Sequence, residues 1–289
     1  MNRKESPIVH IVLILYSIIC LIPFVLIISA SFTDELALNA NGFTLIPSEF
    51  STLAYEYVFR SPIALVRAYG VSVFITVATV IFGLLCMGMI GYVLSRPNCV
   101  FRKPLAFIVF FTMLFSGGMV PSYIIMTQTL HLRNTLASMI LPWCMNAFYV
   151  IMMRTFFQQL PSPLFEAAKI DGASELKIFF SIAVPISKPV FVTVGFFLAL
   201  GKWNDWYSPL LYITEEKLYP LQYLLYKIQL NIKGLLQAME HGYVVNATSI
   251  PGDNLMMAMA VLAAGPMLFV FPFFHKYYAS GLTLGAIKE

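Results

Sequence analysis

Of the chain's 289 residues, 59% are hydrophobic and only 11% charged, whereas soluble domains run at about half apolar and a quarter charged. That balance excludes a soluble globular domain and identifies an all-α, polytopic membrane protein. The net charge of +4 is small and gives no basis for nucleic-acid binding.

Five stretches carry no Asp, Glu, Lys or Arg: Ser6 to Thr33, Ala68 to Ser95, Pro104 to Leu132, Asn134 to Met153 and Asn254 to His275. Each can supply the roughly 20 residues of a spanning helix. A sixth, about Pro189 to Ile213, is apolar apart from Lys202 and Asp205. The reading is six transmembrane helices in one transmembrane domain, 1–289, at about 8–32, 69–95, 105–127, 135–157, 189–213 and 253–275. Outer loops then fall at 33–68 and 214–252, a cytoplasmic loop at 158–188 and a tail at 276–289.

The first apolar stretch, which contains Pro23, is longer than the 7 to 15 apolar residues of a cleavable signal, so it reads as a retained helix. Ser29, Ala30 and Ser31 keep cleavage as the alternative. In the outer segment that follows, Tyr55, Tyr57 and Phe59 suggest interfacial packing. The second helix carries Gly83, Gly88 and Gly91 with Ser72, Thr76 and Ala78, small residues that let helices approach closely in lipid. In the third, Ser116-Gly117-Gly118-Met119-Val120-Pro121 weakens the helix. Either a kink beside a translocation path or a helix end followed by a re-entrant turn fits that stretch.

After the fourth helix, Pro161-Ser162-Pro163 halts the span, and Ser162 before Pro163 fits an N-cap and first helical position. Glu166 then falls in the first turn, where the helix dipole favours an anion. Phe165, Ala168, Ile170, Leu176, Phe179, Phe180 and Ala183 supply an apolar face, and Gly172 permits positive φ between two short helices. The expected form is a cytoplasmic helix-turn-helix coupling loop between helices 4 and 5. An amphipathic pair on lipid headgroups should be richly basic, yet Glu166, Asp171 and Glu175 balance Lys169, Lys177 and Lys188.

Six spans put both termini on one side of the cell membrane. With Lys202 set aside, eleven Lys and Arg lie on the side of the termini and the Glu166 loop against six opposite, so the positive-inside rule assigns that side to the cytoplasm. Cys20, Cys86, Cys99 and Cys144 show no metal or redox spacing, and the four histidines form no His-Glu-x-x-His, so no metal is called. A phosphate loop is also missing: Gly195 to Gly201-Lys202-Trp203 has the wrong spacing and ends in Trp. No catalytic residue is assigned, and no cofactor is expected on this chain.

In the fifth span, Lys202 and Asp205 lie three apart on one helix face and can pair. Charges at membrane depth usually face a bundle interior or a watery cavity. Trp203, Asn204, Trp206 and Tyr207 surround them, and aromatic faces with hydrogen-bonding groups suit a sugar. An aromatic belt at the outer interface explains the same residues equally well.

Glu166-Ala167-Ala168, three residues, Gly172, nine residues, Ile182, one residue, then Val184-Pro185 resembles the ATPase-docking signature of ABC importer permeases, with Val184 where that pattern has Leu. Trp203 to Leu211, Phe115 to Pro121 and Tyr278 to Glu289 are similar to carbohydrate-type permeases of the maltose-importer class, oligosaccharide or polysaccharide branch. The resemblance implies a second homologous permease subunit, a dimeric ATPase holding ATP and Mg, and an extracytoplasmic sugar-binding protein. It implies ATPase docking by Glu166, Ala167, Ala168, Asp171 and Gly172, and ATPase contact by Gly285, Ala286, Ile287, Lys288 and Glu289. Contact with the binding protein falls to about residues 231–249, and a substrate path to Lys202 through Tyr207. The rival reading is an ion-coupled secondary transporter that uses Lys202 and Asp205.

Overall fold

The computed structural model describes residues 7–240 and 252–284. Among them the chain is helical, with one isolated bridge between Thr33 and Phe50. In chain order the helices are α1 (Pro7–Ser31), α2 (Glu35–Asn41), α3 (Leu53–Val58), α4 (Pro62–Ser95), α5 (Arg102–Leu114), α6 (Met119–Ile124), α7 (Leu136–Ile140) and α8 (Ala147–Gln158). Then come α9 (Ser162–Ile170), α10 (Glu175–Ile178), α11 (Val184–Ile186), α12 (Lys188–Trp203), α13 (Tyr207–Tyr212), α14 (Leu221–Glu240) and α15 (Asp253–Leu284). The segment read as outer loop 214–252 thus carries a 20-residue helix, α14, which its charges and polar residues disguised.

Two crossings are unbroken, Ile8–Ser31 and Pro62–Ser95, and three more are helix pairs bent at a break. The third span turns through 117° between α5 and α6. Gly118 starts the second half at φ 84, so the glycines end one helix and aim the next. A 48° bend divides the fourth, which the sequence presents as one apolar run, at the turn around Pro142 and Asn146. Asn146 restarts it as a cap, its side-chain carbonyl accepting from Phe148 and Tyr149 N–H groups. The last bent pair, Glu175–Ile186 with Lys188–Trp203, turns by 84° at Ser187, between Pro185 and Pro189, where the loop after the fourth span meets the fifth. Counting each bent pair as one span, the described residues give up to five crossings, and α15 carries a further apolar segment, Asp253–Phe269.

The chain separates into two compact units. In the first, 1–66 with 224–266, α1 is exposed along almost its entire length, as an all-apolar helix meeting lipid should be. Phe32 stacks on Phe50 and Tyr55, and the Tyr55 hydroxyl lies 2.9 Å from Ser31 Oγ. The Glu35 carboxylate accepts from the Asp253 and Asn254 N–H groups at 3.0 and 3.1 Å, closing the first turn of α15. A Cβ on Gly252 would sit 2.8 Å from Glu35 Oε1, so a side chain there would have to push that carboxylate aside.

The second unit, 67–223 with 267–289, is organised on α4. From Ala68 to Ser95 its buried residues recur every three or four positions, and its small residues lie on that face. Met87, Tyr92 and Leu94 share a core with Val109, Val150, Met153, Val194 and Leu198, from α5, α8 and α12. At Gly91 a side chain would lie 3.0 Å from Met153 Cβ and 3.1 Å from the Arg154 backbone nitrogen. Gly91→Val is therefore expected to cost about 1 to 3 kcal/mol by overpacking. Thermal unfolding in detergent, followed by fluorescence-detected size exclusion, checks this; an unshifted transition would contradict the close α4–α8 approach.

Candidate functional site

The loop between the fourth and fifth spans forms two short helices joined at Gly172. Ala173 N–H donates to the Ala168 carbonyl and Gly172 N–H to the Lys169 carbonyl, both within 3.0 Å. That pair of bonds is a Schellman ending, and it requires the left-handed backbone that Gly172 adopts at φ 74. Ser174 then caps α10, its hydroxyl accepting from Lys177 N–H. Two local expectations are corrected. Helix α9 starts at Ser162 itself, whose hydroxyl makes no cap, so Glu166 lies in the second turn, past the strongest pull of the dipole.

The apolar residues also divide between two faces instead of forming one. Phe165 and Ala168, spaced by one helical turn, are buried with Ile178, Phe179 and Ala183 in the α4 core. Glu166, Ala167, Ile170 and Asp171 face outward, as does Leu176; Ile170 is 87% exposed. An amphipathic helix with apolar residues on its solvent side presents a surface for a partner.

The inward face is clamped to the end of α4. Tyr92 O–H donates to Glu175 Oε2 at 2.9 Å, and Lys169 Nζ reaches Glu175 Oε1 at 2.6 Å, so one carboxylate joins α4, α9 and α10. The Arg96 guanidinium sits 3.3 Å from the centre of the Phe165 ring and 4.4 Å from that of Tyr92. Stacked cations of this kind are attracted by the ring face. Sequence reasoning singled out neither Tyr92 nor Arg96, which lie about eighty residues from Glu175.

Hydrogen bonding from Lys169, and less from Tyr92, holds the Glu175 carboxyl below its ordinary 4.5 against the opposing effect of burial. A group depressed in the folded state contributes stability above its unfolded value and loses it as pH falls through the folded one. The clamp should be intact through the neutral range. We expect amide exchange in the α9–α10 turn to differ between wild type and Glu175→Gln near neutrality, and the two to converge only below about pH 4. Convergence already at pH 6 would remove Glu175's charge from the clamp.

The second charged cluster lies at the break of the fifth span. Lys202 and Asp205 side chains are 0% and 4% exposed and pair at 2.6 Å. Lys202 Nζ also donates to the Met139 carbonyl at 2.6 Å, and Asp205 Oδ1 accepts from the Tyr207 and Ser208 N–H groups. The pair thus closes backbone groups left open between α12 and α13 and ties them to α7. Trp203 is buried, whereas Asn204, Trp206 and Tyr207 are exposed. The tail Gly285–Glu289, and residues 241–249 of the last outer loop, lie outside the described residues.

Residues 3–283 match the family described as "Binding-protein-dependent transport system inner membrane component". The chain belongs to that family. Across 287 residues, 99% of each chain, this permease is 37% identical to the polygalacturonan/rhamnogalacturonan transport system permease protein YtcP of Bacillus subtilis. It is 41% identical to protein LplC of the same organism over 270 residues, 93% of the permease and 90% of LplC. Among solved structures, a bacterial ABC transporter that imports the acidic polysaccharide alginate has a chain that superposes with a TM-score of 0.78 at 26% identity. The match covers 96% of the permease and 99% of that chain. The permease is a membrane component and not an enzyme; ATP hydrolysis belongs to a separate subunit, and a substrate-binding protein serves the system. An ion-coupled carrier built on Lys202 and Asp205 finds no support among these relatives.

Proposed function

We propose that the permease forms one half of a heterodimeric path that imports an oligosaccharide by alternating access, with ATP and Mg held on a dimeric partner ATPase. α15 completes six crossings, and both termini lie in the cytoplasm. The outward face of α9, with Glu166, Ala167 and Asp171, docks on the ATPase, and the tail Gly285–Glu289 adds a second contact. The observation that carries the reading is the division of α9 between an exposed face for a partner and a buried one clamped to α4. Closure of the ATPase would move α9 as a rigid body, and Phe165, Tyr92 and Glu175 pass that displacement to α4. Nucleotide state and permease conformation are then coupled in both directions.

Acidic oligosaccharides are the first cargo class to test, because YtcP is named for polygalacturonan and the superposed structure imports alginate. At the break of the fifth span, Asn204, Trp206 and Tyr207 are the exposed groups positioned to meet a sugar, whereas Lys202 and Asp205 hold the turn. The test is uptake by proteoliposomes holding the complete transporter, its binding protein and oligogalacturonides, with neutral oligosaccharides alongside. ATP-dependent accumulation of the acidic sugars is expected. Uptake without ATP would overturn the mechanism, and preference for neutral sugars would overturn the cargo class.

A further inference from the structure

At the end of the molecule where the α9–α10 loop is clamped, the turn between α4 and α5 and the facing side of α8 border an open cleft of about 680 Å³. Arg102 and Lys103 line it from α5 and Arg154 from α8, with Asn98 beside them, and no carboxylate is among its lining residues. Arg102 is fixed by donation from Nε to the Leu94 carbonyl at 3.1 Å, a bond that leaves the two terminal guanidinium nitrogens for another acceptor. Arg154 Nε is buried and has no hydrogen-bond partner. Arg102 and Arg154 are half-buried and Lys103 is exposed, so an anion seated among them would gain charge-assisted hydrogen bonds that no residue of the lining supplies.

The rim has the opposite character. Val100 and Phe101 are 86% and 73% exposed, and the outer face of α5 continues the apolar surface through Phe107 and Ile108. A basic pocket bordered by an apolar rim at a membrane surface matches an amphiphile with an anionic head. We infer that this pocket binds the phosphate headgroup of an anionic phospholipid, its acyl chains lying along α5. Arg102, Lys103 and Arg154 bind the phosphate, and Asn98 offers a further hydrogen bond to a headgroup hydroxyl. A bound lipid would brace the α4–α5 turn next to Arg96, the residue stacked on the coupling loop.

The complete transporter, stripped of lipid in detergent and titrated with phosphatidylglycerol or phosphatidylcholine, supplies the test by native mass spectrometry. Wild type should retain one more phosphatidylglycerol than a Lys103→Gln, Arg154→Gln variant, whose apparent affinity falls about 25-fold on the basis of a fivefold loss per cation. The charge-preserving Lys103→Arg, Arg154→Lys variant should retain the site, which separates lost binding from misfolding. Equal retention by wild type and the neutralised variant, or by the two lipids, would overturn the proposal. Displacement by glycerol phosphate at matched concentration would assign the site to a free anion, and loss of the ATPase with unchanged lipid would assign it to a protein contact. Either result also overturns it.

Discussion

Asp205→Ala is expected to destabilise the permease by about 3 to 5 kcal/mol, because it leaves the Lys202 ammonium buried without a counter-charge, held by the Met139 carbonyl and the face of the Trp143 ring. It also releases the Tyr207 and Ser208 N–H groups that start α13. Lys202→Met should cost less, since the Asp205 carboxylate keeps those two backbone donors. The double variant Lys202→Met, Asp205→Asn removes both charges, and its loss should fall short of the sum of the two single losses. Thermal unfolding of the purified transporter checks all three. If Asp205→Ala unfolds at the wild-type temperature, the pair does not staple the broken span; if the double variant is stable yet fails in uptake, the pair touches substrate.

Gly172→Leu should act on transport and leave the permease inserted. A leucine at φ 74 costs about 1 to 2 kcal/mol, and no atom lies within 4 Å to clash with a new Cβ, so the core beneath the loop survives. The side chain would project into solvent beside Asp171, on the face assigned to the ATPase, and would open the Schellman ending that sets the angle between α9 and α10. Wild-type insertion with uptake abolished is the expected pair of results, and Gly172→Ala should retain part of the activity. Normal uptake by Gly172→Leu would show that neither the turn angle nor that surface matters.

What the sequence made legible follows from range of interaction. Gly172 as a left-handed hinge, Gly118 as a helix breaker and the pairing of Lys202 with Asp205 are local effects, readable from a few neighbouring residues. The small residues on the second span marked its packing face for the same reason, since their spacing follows the helix. The clamp on the loop was hidden because Tyr92 and Arg96 meet Glu175 and Phe165 only through tertiary packing. The bend in the fourth span was hidden by uniform apolarity: Pro142 and Asn146 sit in a run whose hydropathy gives no sign of a turn. The split of Phe165 and Ala168 from Ile170 could have been found, since the first two lie one helical turn apart and the third lies off that face.

Docking of the outward face of α9 on an ATPase is tested most directly by site-specific cross-linking in the assembled transporter, with Cys20, Cys86, Cys99 and Cys144 replaced by serine. Cysteine at Ala167 or Ile170, both exposed, should form a cross-link to the ATPase subunit whose yield changes between nucleotide-free and ATP-bound states. Cysteine at Leu36, an exposed residue of α2 in the outer segment, should form none. Absence of any ATPase adduct at 167 and 170 in a transporter that still imports would contradict the coupling role of this loop.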